Sequence, residues 1–171
     1  MSSSLSQGAK ANKTGSICEG ILIPLFVKNG YTVIKFSEFE KNRNYKRKPN
    51  KYKDVKKLVL KNAPYKSIYN HKGFTEFLII NKEKNRTIRL EVKYQQTSGS
   101  VDEKYPYVWL NCVYKFQENE IIILIVGTGA KKGAVEWLKQ QAKEKWLLDK
   151  DKTVSIMNID EFIEFFNKNL N

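Results

Sequence analysis

The chain has 171 residues, of which 41% are hydrophobic and 29% charged, the composition of an ordinary globular protein rather than a disordered one. No apolar run is long enough to span a membrane, and the polar segment 1–14 lacks the apolar stretch of a signal peptide. We therefore expect a cytoplasmic protein with a flexible N-terminal tail at 1–14. The remaining residues, 15–171, suit a single domain with one hydrophobic core.

The net charge of +13 favours a polyanionic partner, and nucleic acid is the obvious one. Ten lysines and arginines lie between Lys41 and Lys61, with a single acid, Asp54. A lysine-rich composition without functional meaning is the alternative, but it does not explain this clustering. We predict a basic insertion on the edge of the sheet at about 38–72, with a short helix at 55–60. The residues expected to contact DNA in it are Lys46, Arg47, Lys48, Lys51 and Lys53.

Helical and strand patterns alternate along the rest of the chain. The predicted helices are 15–29, 101–115, 133–146 and 159–170, and the predicted strands are 31–36, 74–80, 87–95, 121–126 and 154–157. Ser100 and Glu103 have the spacing of a capping box, and Asn158 is placed to cap the last helix. This order predicts an α/β fold, a mixed β-sheet flanked by helices on both faces.

The segments 74–80 and 87–95 flank a polar run, which is typical of a β-hairpin. A two-residue turn at Glu83 and Lys84 would oppose Phe77 to Leu90. This register makes one face of the ribbon uniformly apolar, as a half-buried sheet requires. The pattern of apolar residues therefore supports the register.

The opposite face of the hairpin then carries Glu76 across from Glu91, with Lys93 one step further along. Opposed like charges destabilise a strand pair by roughly 0.2–1 kcal/mol, so a compensating cation is expected. Two carboxylates and a backbone carbonyl, here that of Val92, are ligands that Mg²⁺ prefers. Lys93 could orient or deprotonate an attacking water, and Gln95 could position that water or a phosphate oxygen. The alternative is an exposed strand face with incidental charges.

Three segments, 73–79 (GFTEFLI), 90–96 (LEVKYQQ) and 97–107 (TSGSVDEKYPY), resemble the PD-(D/E)XK nuclease superfamily, in particular a branch found in phages and bacterial genomes. The similarity spans about 15–146, where the order of elements matches the family core of helix, three strands, helix and strand. The second family motif corresponds to Glu91, Val92 and Lys93, and the first metal-binding acid to Glu76. Glu76 departs from the usual aspartate and no proline precedes it.

The resemblance implies a restriction-endonuclease-like fold, an αβββαβ core followed by C-terminal αβα elements. It implies hydrolysis of phosphodiester bonds in double-stranded DNA with Mg²⁺, for which Mn²⁺ could substitute. Glu76, Glu91 and the Val92 carbonyl would be the metal ligands and Lys93 would aid catalysis. Many members also use a glutamate of the first helix, which would be Glu19. Since cutting both strands usually takes two such sites, a homodimer is plausible.

Two other functions remain open from the sequence. One is a structure-specific nuclease that resembles a Holliday junction resolvase, and the other is a non-catalytic DNA-binding module on the same fold. The glycine-rich segment 127–133 follows a buried strand but lacks the spacing of a nucleotide phosphate loop. We interpret it as a turn, with a DNA backbone contact from Lys131 or Lys132 as the alternative.

Overall fold

The computed structural model describes residues 7–44, 50–97 and 100–171, with side chains described from Cys18 onward. Its α-helices are α1 (Gln7–Lys28), α2 (Phe36–Asn44), α3 (Tyr105–Tyr114), α4 (Lys132–Glu144) and α5 (Ile159–Asn169). Its strands are β1 (Thr32–Lys35), β2 (Lys57–Lys66), β3 (Lys72–Asn81), β4 (Arg86–Tyr94), β5 (Glu120–Val126) and β6 (Thr153–Met157). A 3₁₀ turn, Asp102–Lys104, leads into α3. No helix in these ranges is long and apolar enough to cross a membrane.

The strands form one six-stranded sheet in the order β1-β2-β3-β4-β5-β6. The central strands β2, β3 and β4 are antiparallel, while β1 is parallel to β2 and β5 and β6 are parallel to β4. Each parallel neighbour is reached through a helix, as parallel pairing requires. The C-terminal ends of β2, β4, β5 and β6 therefore lie at the same end of the sheet, which we call its carboxyl end. The predicted α/β fold with a mixed sheet is confirmed.

Helices cover both faces of the sheet, each because it buries an apolar stripe. On one face α1 and α5 pack against the strands, with the Phe26 ring centroid 5.4 Å from both Phe77 and Phe166. On the other face lie α3 and α4, whose Trp109 and Leu138 are fully buried. The shorter α2 covers that second face beside β2. The candidate site lies on the face that α3 covers.

The predicted hairpin register is confirmed from the turn as far as Phe77 and Leu90, but the predicted direct pairing of Glu76 with Glu91 is not part of the ladder. Strands β3 and β4 pair Phe77 with Leu90, and the pairing continues in the same register to the turn. The Asn85 N–H donates to the Lys82 carbonyl, so Glu83 and Lys84 are the central turn residues. The apolar residues Phe77, Ile79, Ile88, Leu90 and Val92 all join the core beside α1 and α5.

Three local predictions were wrong. Helix α1 begins at Gln7 rather than at residue 15, so residues 7–14 belong to a helix. The short helix predicted at 55–60 is absent, because Lys57–Lys66 forms strand β2 inside the sheet between β1 and β3. The capping box at Ser100 and Glu103 does not form, since a 3₁₀ turn intervenes and the N-cap of α3 makes no side-chain hydrogen bond.

The last helix begins as expected. The Asn158 side chain accepts from the backbone N–H of Glu161, and the Glu161 carboxylate accepts from the Asn158 N–H. This reciprocal pair satisfies two donors at the helix start and fixes where α5 begins. Because α5 follows β6 directly, it begins at the carboxyl end of the sheet and runs back along its face to Leu170, whose carbonyl accepts from the Asn81 side chain.

Candidate active site

The sheet forks at the position of Glu76 and Glu91. Pairing between β3 and β4 ends at Phe77 and Leu90. Beyond this point β3 continues to pair with β2 as far as Lys72, while β4 continues to pair with β5 as far as Tyr94. The two middle strands therefore separate towards the carboxyl end, and the two glutamates lie where the separation begins.

An irregularity in β2 and β3 directs Glu76 into this fork. Phe77 lies on the α1 face, whereas the Thr75 hydroxyl accepts from Arg89 Nη1 at 3.0 Å on the opposite face, although a regular strand would place residues 75 and 77 on one side. On β2, between the paired residues, Asn62 has a positive φ of 55°. Such breaks often turn a side chain towards a functional site. Glu76 Oε2 accepts from the backbone N–H of Val92 at 2.7 Å.

Glu91 and Lys93 come from the regular part of β4 and project from the same face. Glu91 is only 4% exposed, and its Oε1 forms an ion pair with Lys93 Nζ. Its Oε2 is buried and has no hydrogen-bond partner among the described residues. A buried carboxylate oxygen without a partner is costly, which points to a ligand that the oxygen binds in the functional protein.

The electrostatics of the site favour an additional positive charge. Burial and the nearby Glu91 charge raise the pKa of Glu76 from 4.5 to about 7, against the opposing effects of Lys93 and the Val92 N–H. Burial acts to lower the pKa of Lys93, but the charges of Glu91 and Glu76 outweigh it and the pKa is raised. Lys93 is therefore a firmly protonated ammonium group. One ammonium beside two carboxylates leaves an excess of negative charge once Glu76 ionises.

The residues present fit a divalent cation with oxygen ligands. Glu76 and Glu91 supply carboxylates, one with an unused buried oxygen, and the Val92 carbonyl directly follows Glu91 in sequence. No group of three or more histidine, cysteine, aspartate or glutamate residues that could hold a metal occurs in the part of the chain described. Water or phosphate oxygens would have to complete the coordination, as is usual for Mg²⁺.

The other two predicted site residues are Gln95 and Glu19. Gln95 is 4% exposed and lies immediately after the end of β4, where its carbonyl accepts from the Gly129 N–H at 2.8 Å. Glu19 of α1 forms an ion pair with Lys61 at 2.7 Å, and Lys61 is the partner of Phe77 across β2 and β3. Glu19 is therefore connected through Lys61 to the strand that carries Glu76.

The predicted DNA-binding residues divide between the two ends of the sheet. Lys131 and Lys132 are exposed beyond β5, at the carboxyl end, where the Lys131 N–H contacts Asp102 at 3.4 Å. Lys51 and Lys53 are exposed in the turn before β2, which belongs to the other end.

The position of Lys53 is fixed by Lys82, whose Nζ donates to the Lys53 carbonyl at 2.8 Å. At ~3.4 Å per residue, Lys82 is roughly 20 Å from Glu76 along β3. A phosphate bound by Lys53 would therefore be about that far from the fork. The predicted contacts Lys46, Arg47 and Lys48 lie outside the described residues.

A group of tyrosines beside Glu91 was missed from the sequence. Burial, the charge of Glu91 and the neighbouring Tyr107 raise the pKa of Tyr65. Tyr105 is 1% exposed, burial and the Asp102 charge raise its pKa against the effect of Lys93, and its hydroxyl has no hydrogen-bond partner in the described ranges. From the sequence, Tyr105 lay in the predicted helix 101–115 and Tyr65 in the predicted basic insertion, so neither was assigned to the site.

The family comparison covers almost the whole chain. Residues 10–170 match the model of a PD-(D/E)XK nuclease superfamily domain. Comparisons with curated proteins and with solved structures gave no match. Nucleases of this superfamily act on DNA and generally use divalent metals. Because this match covers nearly the whole chain, the chain belongs to the PD-(D/E)XK nuclease superfamily.

Proposed function

We propose that the protein is a Mg²⁺-dependent endonuclease that hydrolyses phosphodiester bonds of double-stranded DNA, with its active site in the fork between β3 and β4. The observation that carries the proposal is the buried Glu91 Oε2, which lacks a hydrogen-bond partner among the described residues while Glu76 and Lys93 adjoin the same carboxylate. A purely structural ion pair would need only one glutamate. The second carboxylate is explained by a divalent cation.

In this proposal each side chain has a distinct part. Glu76, Glu91 and the Val92 carbonyl hold the cation, which supplies Lewis-acid chemistry at the scissile phosphate when bound. Lys93 donates a hydrogen bond and offsets negative charge that develops on the phosphate. Gln95 positions the attacking water or a phosphate oxygen.

The binding surface in this proposal is the carboxyl end of the sheet, where Lys131 and Lys132 contact DNA phosphates. Lys51 and Lys53 would contact the same duplex about 20 Å away, at the far end of β3. Two copies of the chain would cut the two strands, so we propose a homodimer on DNA. Sedimentation of the protein with and without a duplex tests this stoichiometry.

Plasmid cleavage tests the activity. The purified protein should cut supercoiled plasmid with Mg²⁺ and not with EDTA, and Glu91→Gln and Lys93→Ala should be inactive while still binding DNA. Matched controls are Glu83→Gln and Lys84→Ala, which make the same changes in the exposed hairpin turn. Cutting in EDTA, or by Glu91→Gln, would refute the mechanism. Binding without any cutting would favour the non-catalytic alternative, and a preference for branched over linear duplexes would favour the structure-specific one.

A further inference from the structure

The connection between β2 and β3 carries exposed aromatic side chains beside the fork. We call residues 66–74 the arm. Tyr69 at its tip is 63% exposed, and its ring stacks on that of Tyr107 with centroids 5.1 Å apart and planes 24° apart. Phe74 is 52% exposed and has Lys72 Nζ 5.1 Å from its ring centroid. Large aromatic surfaces left in water at one place usually mark a binding site.

The arm is held in place by buried polar contacts. The Ile68 N–H donates to Asn111 Oδ1 at 3.0 Å, and Asn111 is 1% exposed within α3. Ser67 is fully buried and its N–H donates to the His71 carbonyl at 2.8 Å, which closes the turn. The exposed Tyr69 ring is therefore presented by a fixed turn. One face of the ring lies against Tyr107, and its partial exposure leaves the other face for a ligand.

Position and charge connect the arm to the fork. Tyr107, on which Tyr69 stacks, adjoins Tyr65. Tyr65 in turn lies close enough to Glu91 for the carboxylate charge to raise its pKa. The arm contains Lys66 and Lys72, both exposed, and no acidic residue. An aromatic platform with neighbouring cations is the chemistry that binds unpaired bases, since every base offers a face for stacking and every nucleotide a phosphate.

We propose that the arm binds unpaired bases of a DNA strand next to the scissile phosphate, with one base stacked on Tyr69. This inference rests on the proposed nuclease function and adds to it a preference for duplex DNA that has a single-stranded segment beside the cleavage site. A protein partner on this surface is the competing occupant.

The test measures DNA binding in EDTA, where no cleavage occurs. Fluorescence anisotropy compares a duplex bearing a short oligothymidine extension with the same duplex whose extension consists of abasic sites, which keep the phosphates and remove the bases. The parent should bind the thymidine form at least about fivefold more tightly. Tyr69→Ala should lose this difference and Tyr69→Trp should keep it. The salt dependence of binding should not change with Tyr69→Ala, since no phosphate contact is lost.

Trp146→Ala is the matched control, because Trp146 is also an exposed aromatic residue, 42% accessible, but follows α4 rather than the arm. It should leave the preference intact. Equal affinity of the parent for the two extensions would overturn the inference, as would a preference that survives Tyr69→Ala and indicates a different binding surface. The proposed nuclease function is judged separately by plasmid cleavage in Mg²⁺, so either proposal can fail while the other stands.

Discussion

The replacement Glu76→Gln tests whether burial and the neighbouring Glu91 charge make an ionised Glu76 destabilising in the metal-free protein. The glutamine keeps the shape and can still accept the Val92 N–H, so it removes little besides the charge. The folded protein holds the Glu76 proton up to about pH 7, whereas an unfolded chain releases it near pH 4.5. Between these values the folded state binds more protons, so the contribution of Glu76 to stability falls as the pH rises.

The size of the effect follows from the same shift. A pKa moved from 4.5 to about 7 corresponds to at most roughly 3 kcal/mol, and partial exposure of the side chain reduces this through solvent screening. At pH 8 in EDTA, Glu76→Gln should therefore be more stable than the parent by about 1–3 kcal/mol. Near pH 4 the two proteins should be almost equally stable, because Glu76 is protonated in both states.

Urea unfolding at the two pH values measures these differences. Mg²⁺ should then stabilise the parent at pH 8, by about 2.7 kcal/mol at a hundredfold excess over the dissociation constant, and should stabilise Glu76→Gln much less. A variant that is no more stable than the parent at pH 8 would refute the destabilisation by ionised Glu76. Equal stabilisation of both proteins by Mg²⁺ would refute the shared metal site.

Three further predictions concern lysines. Lys93→Ala should reduce cleavage about 100- to 1000-fold in a single-turnover assay with little change in DNA affinity, and a normal rate would exclude its role at the phosphate. Replacing Lys131 and Lys132 with alanine should reduce the dependence of log affinity on log salt concentration by roughly 0.9 per lost phosphate contact. Lys53→Ala should have this effect only on duplexes that extend about 20 Å beyond the cleavage site. Lys152→Met should destabilise the fold by about 1–3 kcal/mol in urea unfolding, because the buried Lys152 Nζ donates to three carbonyls at the end of α3.

The hairpin was predictable because its alternation has only one register that buries the apolar side chains. A slip by one residue would have moved Phe77 and Leu90 to the opposite face. Strand β2 was not predictable in this way, since its lysines and Pro64 resemble a loop. The proline is tolerated because pairing with β1 ends at Lys61, so the later part of β2 is an edge.

The site was only partly predictable from local sequence. Alternation placed Glu91 and Lys93 on one face, and both lie there. The separation of β3 from β4 and the positive φ of Asn62 depend on how the strands pair beyond the hairpin, and no residue pattern specifies them. Tyr65 adjoins Glu91, and Tyr107 adjoins Tyr65, although the three residues come from distant segments. Their proximity follows from the sheet order rather than from spacing along the chain.

The central claim is that Glu76 and Glu91 together hold the divalent ion that cleavage needs. Electron paramagnetic resonance of Mn²⁺ counts bound metal while gel electrophoresis of the same samples measures DNA cleavage. The parent should begin to cut at the Mn²⁺ concentration that fills the site, and Glu91→Gln should lose metal binding and cleavage together. Undiminished Mn²⁺ binding by Glu91→Gln, or cleavage by this variant at the parental rate, would contradict the account.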